Sequence, residues 1–93
     1  MQIIDLYVII DDLVVCVAYT EESCRKAADH LGLIKGGKGH LFADTHSIKG
    51  CYAYESGKYA GRAYFGKEGT REEMKAPLSG TAYRVNGCAK GKH

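Results

Sequence analysis

The chain has 93 residues, of which 45% are hydrophobic and 26% charged, a size and balance that fit one folded domain over residues 1–93 and exclude an intrinsically disordered segment. The net charge of +2 conceals a split. Residues 1–34 carry six acids against Arg25 and Lys26, whereas residues 35–93 carry eleven lysines and arginines against five acids, so the second half should draw acidic partners, protein or nucleic acid.

In chain order, residues 3–10 and 13–19 read as two strands. Ile4, Leu6, Val8 and Ile10 share one face of the first, and Leu13, Val15, Val17 and Tyr19 one face of the second. Asp5, Asp11 and Asp12 interrupt this apolar run, and no Lys or Arg occurs before Arg25. The stretch therefore reads as neither a signal peptide nor a membrane span. The expected setting is the cytoplasm, where cysteines stay reduced, with no membrane partner.

A helix over about 21–31 follows. Thr20 suits its N-cap, Glu21 and Glu22 suit the positive end of its dipole, and Gly32 suits its stop. Cys24, Ala27, Ala28 and Leu31 recur at helical spacing and form its apolar stripe. Residues 35–50 read as a basic, glycine-rich loop. A hairpin follows, from residues 51–55 through a turn at Ser56-Gly57-Lys58 into residues 59–65. Thr70-Arg71-Glu72-Glu73 is a capping-box pattern for one helical turn that Pro77 ends, and residues 81–86 suit a last strand. The fold expected is α+β: an antiparallel sheet of four to five strands with one main helix packed on one face. Because the helix stripe faces the sheet and Gly50 permits close approach, Cys24 and Cys51 are expected to be neighbours. The expected core is Ile4, Leu6, Val8, Ile10, Val15, Val17, Ala27, Ala28 and Leu31.

Several constellations invite a chemical reading. Lys35-Gly36-Gly37-Lys38-Gly39 has the composition of a phosphate-binding loop, but it follows a helix instead of opening one, and His40 stands where a second lysine is needed. What remains is a basic loop, Lys35 and Lys38, able to touch phosphates or acidic side chains. The cysteine and histidine spacings (Cys16-x7-Cys24, His40-x5-His46, His46-x4-Cys51) contain no zinc knuckle, so neither a metal nor another cofactor is expected. Asp44 with His40 and His46 offers a carboxylate–imidazole cluster, and Cys24 near a helix N-terminus offers a thiolate. These support only an alternative reading as a small His/Cys-dependent enzyme.

Lys49-Gly50-Cys51-Tyr52-Ala53-Tyr54 resembles the RNA-stacking strand of RRM domains, a basic residue and a glycine followed by alternating aromatics, with Cys51 inserted. Together with Lys58, Tyr59, Arg62 and Tyr64 it supports a second alternative, a nucleic-acid-binding domain. Cys24 on a helix, then Phe42, then Gly50-Cys51-Tyr52 is similar to the core of PAN/apple-type modules over about residues 20–65. That resemblance implies a secreted domain binding proteins or carbohydrates, with a helix tied to an antiparallel sheet by a Cys24–Cys51 disulfide. It implies no binding residue, and Ala28 stands where the family carries a second helix cysteine.

The leading expectation is a non-enzymatic binding or inhibitor module, of the kind that phages and mobile elements direct at host components. It would engage a macromolecule, foremost a protein, through Tyr52, Tyr54, Lys58, Tyr59, Arg62 and Tyr64, with Lys35 and Lys38 nearby. At least three of the six hairpin residues are expected to be exposed on one patch.

Overall fold

The computed structural model describes residues 17–86. The expected strand at 3–10, most of that at 13–19, and the core positions Ile4, Leu6, Val8, Ile10 and Val15 lie outside the described residues. Val17, half-buried, forms an isolated antiparallel bridge with Asn86.

Helix α1 spans Glu21–His30. The Thr20 side chain accepts the Ser23 N–H (3.1 Å), and the Ser23 hydroxyl accepts the Thr20 N–H (3.1 Å). This is a capping box with serine in the place of the usual Glu or Gln. At the other end, the Gly32 N–H donates to Asp29 O (3.1 Å) and the Leu33 N–H to Ala28 O (2.9 Å). Gly32 has a φ of 72°, which completes a Schellman stop. That stop corrects the expected burial of Leu31. The chain leaves the helix at Leu31, the C-cap, and reverses at Gly32, so Leu31 is 41% exposed while Leu33 packs against the core.

The remaining elements are β1 (Ile34–Lys35), β2 (Ala43–Asp44), β3 (Gly50–Tyr54), β4 (Arg62–Gly66), helix α2 (Arg71–Lys75) and β5 (Ala82–Arg84). They form one five-stranded sheet in the order β1-β4-β3-β5, with β2 also on β4. The expected hairpin is present: β3 and β4 pair antiparallel with Tyr52 opposite Tyr64 and Cys51 opposite Phe65. β5 pairs antiparallel with β3. The sheet is nevertheless mixed, not purely antiparallel, because β1 and β2 both run parallel to β4. Each is two residues long, too short to leave a periodicity signal, and both lie at or within the segment that reads as loop.

Alternation along β3 and β4 sorts their side chains by face. Cys51, Ala53, Ala63 and Phe65 join Cys24, Ala27 and Ala28 of α1 in the buried core, along with Ala18, Phe42, Met74 and Val85. The facing residues of helix and strands are mostly small, so helix and sheet approach closely. Cys24 and Cys51 lie at disulfide distance with Cα atoms 5.4 Å apart. Gly50 permits a second close approach. Its φ is 89°, and a Cβ there would sit 2.7 Å from the Met74 carbonyl oxygen, so α2 packs directly on the strand backbone.

Helix α2 has the expected Thr70/Glu73 capping box. Its C-cap, Ala76, is extended, with a ψ of 144°, as a residue before proline prefers. The Arg84 guanidinium then ties α2 to the sheet, donating to Ala76 O (2.7 Å), Glu73 O (2.7 Å) and Lys49 O (2.6 Å). Two of these carbonyls belong to the helix end, which the cation complements. Burial lowers the guanidinium pKa from its ordinary value without making the group neutral. Among the described residues no helix is long and apolar enough to cross a membrane.

Candidate functional site: a tyrosine–histidine concavity

Alternation sends Tyr52, Tyr54 and Tyr64 to the sheet face opposite the one that carries the core. Tyr52 and Tyr64, directly opposite in register, bring their ring centroids to 5.8 Å at an interplanar angle of 29°. Tyr54 stands nearly perpendicular to Tyr52 (5.8 Å, 80°). The connection from β3 to β4 returns Tyr59 to the same group, 5.3 Å from Tyr54 and 5.9 Å from Tyr64. Offset and edge-on contacts at these spacings are favourable for aromatic rings.

Two histidines complete the wall, each held by backbone. Gly37 and His40 exchange N–H···O bonds (2.8 and 3.3 Å) across Lys38 and Gly39, whose φ values are 59° and 91°. Two successive positive φ values make this a two-residue turn of the primed, hairpin type. The turn is fastened to β4: Arg62 donates to Gly36 O (2.8 Å), and the Tyr64 hydroxyl donates to Gly37 O (2.8 Å). His40 is thereby set 5.6 Å from Tyr59, with Nε2 3.2 Å from the Tyr59 hydroxyl. His46 follows a turn in which the Asp44 carboxylate accepts the Thr45 N–H (2.8 Å) and Asp44 O accepts the His46 N–H (2.8 Å). Its ring lies 5.7 Å from Tyr64, and its Nε2 donates to Leu41 O (2.8 Å). A carbonyl can only accept, so Nε2 carries the hydrogen.

These six rings and Ser47 line an open concavity of about 360 Å³, at the small end of the roughly 300–1,000 Å³ usual for ligand sites. Of the four phenols, those of Tyr59 and Tyr64 have the partners given above, and those of Tyr52 and Tyr54 have none among the described residues. Burial pushes the Tyr52 phenol far above the ordinary tyrosine range, and the neighbouring Tyr54 and Tyr64 phenols push it further. Burial also raises Tyr54 and Tyr64; Tyr59 adds to the first shift, and Arg62 opposes the second. Phenols with raised pKa values keep their protons at neutral pH and act there as uncharged donors. Positive charge sits at the border, where the Lys58 ammonium lies 5.5 Å from the Tyr59 ring centroid.

The expected site residues divide accordingly. Tyr52, Tyr54, Tyr59 and Tyr64 are brought together, Lys58 reaches their edge, and Lys38 is exposed at the tip of the turn that carries His40. Arg62 is spent on fastening that turn. Lys35 belongs elsewhere, ion-paired with Asp29 of α1. The expectation of three exposed residues on one patch is not met: Tyr52 is 5% and Tyr64 2% exposed, Tyr54, Tyr59 and Arg62 are half-buried, and of the six Lys58 alone is exposed. The rings wall a hollow instead of studding a flat surface, because they crowd one another and the two histidine turns fold over them. The pairing of Asp44 with the imidazoles is also corrected, since its carboxylate serves the Thr45 backbone. Among the described residues no three His, Cys, Asp or Glu side chains gather as a metal site. Sequence reasoning missed the joining of His40 and His46 to the tyrosines; the signal for His40 was Lys38-Gly39, a pair able to adopt the primed turn. Comparison of the chain with protein-family models, curated proteins and solved structures finds no match.

Proposed function

We propose that this chain is a non-enzymatic binding module that takes a group of a macromolecular partner into the tyrosine–histidine concavity. One observation carries the reading: six aromatic rings from five separate segments converge on one hollow, with His46 and Tyr64 fastened there by side-chain hydrogen bonds to backbone carbonyls. Rigid aromatic side chains give large contact area at little entropic cost, which is why they dominate the energetic centres of interfaces. The Nε2 atoms of the two histidines are engaged with a carbonyl and a phenol, which orients the rings as wall elements.

The test compares capture of partners by the full-length wild-type chain with capture by the Tyr54→Ala/Tyr59→Ala variant. Both substituted rings are half-buried, so the fold is expected to persist. A partner held by the wild type and lost by the variant supports the reading. Identical retention by both sinks it.

A second reading, a secreted PAN/apple-like module, draws support from Cys24 and Cys51 at disulfide distance, since disulfides persist in oxidising compartments. Thiol titration of the chain isolated from its source without reductant tests it: free Cys24 and Cys51 thiols would argue against secretion.

A further inference from the structure

We propose that the group received by the concavity is an unpaired base of a single-stranded nucleic acid, a proposal that rests on the binding-module reading above. Three observations converge on it.

The first is shape. The hollow of about 360 Å³ is walled by rings of which several stand at steep angles to one another: His46 at 90° to Tyr52, and Tyr59 at 90° to Tyr64. It has room for one ring-sized unit stacked on one wall and flanked by others. A base held inside a duplex cannot enter such a hollow, whereas an unpaired base can turn out into it.

The second is hydrogen bonding. Tyr52 is nine-tenths buried, lines the hollow, and carries a hydroxyl with no partner among the described residues. Without a partner among the described residues, this hydroxyl is available to a ligand that presents acceptors or donors in the plane of a ring. Base edges do so. Ser47 and the half-buried Tyr54 hydroxyl supply further donors and acceptors on the same lining.

The third is charge. Among the described residues no carboxylate lines the hollow, while Lys58 stands over Tyr59 and Lys38 is exposed on the turn that sets His40. An organic ammonium ligand, the other common guest of aromatic boxes, would meet like charge there. A ligand that couples a flat ring to a phosphate meets stacking and opposite charge together, as in binding grooves for single strands. The basic balance of residues 35–93 acts in the same direction at longer range.

The experiment is fluorescence anisotropy of the full chain with short labelled DNA and RNA single strands. Comparators are an abasic strand of equal length, the corresponding duplex and free mononucleotides. Single strands should bind at least tenfold more tightly than the abasic strand, the duplex or any mononucleotide. With two phosphates engaged, affinity should fall about sevenfold between roughly 50 and 200 mM salt, and Lys58→Ala should flatten that dependence. Tyr52→Phe keeps the ring and removes only the hydroxyl, so it should narrow the preference among bases, whereas Lys58→Ala should weaken all sequences alike.

Equal binding of abasic and natural strands would overturn the proposal, because phosphate alone would then suffice. A mononucleotide that binds as tightly as the strand would replace the strand with a free nucleotide. Suppose no nucleic acid binds, yet the Tyr54→Ala/Tyr59→Ala variant still loses a captured partner. The base assignment then falls while the binding-module reading stands. If the variant loses nothing, both fall.

Discussion

With Cys24 and Cys51 joined in the oxidised chain, replacing both by alanine should remove a large part of the stability of this domain. The two cysteines are 27 positions apart, and in the chain-entropy account a bond closing a loop of that size restricts the unfolded chain by ~3.6 kcal/mol at 25 °C. Both residues are buried, with Cys24 fully enclosed and Cys51 2% exposed. Deleting the two sulfurs therefore also empties space in the core. If each sulfur is weighed as about one buried methylene, this adds ~0.8 kcal/mol apiece, for a total near 5 kcal/mol. Domains of this length are stable by roughly 5–14 kcal/mol, so the variant should lose from a third to all of its margin. The assay is urea unfolding followed by far-UV circular dichroism, since the chain has no tryptophan to report by fluorescence. Cys16 and Cys88 are unchanged in the comparison. The oxidised wild type should also show the smaller denaturant slope, because a cross-linked unfolded state exposes less surface. A stability loss below about 1 kcal/mol would refute the reasoning and leave the helix–sheet contact to packing alone.

Two other perturbations probe the architecture and the ring cluster. Gly50→Ala places a Cβ against the Met74 backbone at a residue with a φ of 89°, so it should cost at least ~2 kcal/mol by the same unfolding assay; a neutral result would mean that α2 does not pack on β3 as described. Raising the pH should destabilise the chain through Tyr52. The unfolded phenol releases its proton near pH ~10 while the folded one retains it, so the stability is fully present below that pH and falls above it by up to ~1.4 kcal/mol per pH unit. Tyr52→Phe should flatten that alkaline slope, and an unchanged slope would show that the Tyr52 phenol is not shielded.

The parts of the fold that were legible in the sequence are those set by local chemistry. Thr20, the acidic first turn, the small-residue stripe and Gly32 specify α1 almost to the residue, and Thr70 with Glu73 specifies α2. The pairing of Cys24 with Cys51 followed from placing that stripe on β3. Leu31 was misjudged because periodicity extends a stripe past the point where the backbone leaves the helix, and the Schellman reversal at Gly32 decides exposure there. β1 and β2 were missed for a different reason. Two-residue strands carry no period, and a parallel partnership with β4 is a long-range event that no local run of residues announces.

The site depended on register. Period two places Tyr52 and Tyr54 on one face from sequence alone, but whether Tyr59 or Tyr64 joins them depends on how many residues the β3–β4 connection consumes. The structure brings both: Tyr64 by register opposite Tyr52, and Tyr59 through the connection itself. The histidines arrive by two independent turns. Stability does not require this arrangement. On the core side of the same strands, the hairpin uses Ala53, Ala63 and Phe65, side chains with no polar atom to satisfy. On the other face, Tyr52 carries a hydroxyl with no partner among the described residues, at the wall of an open hollow. Phenylalanine would fill the same volume with no polar atom to satisfy. A hydroxyl placed among five other rings, making no contact among the described residues that holds the sheet, is better explained by what enters the hollow than by what holds the sheet together. The same residue thus links the two readings: its removal as Tyr52→Phe should steady the fold at alkaline pH and blunt the discrimination among ligands.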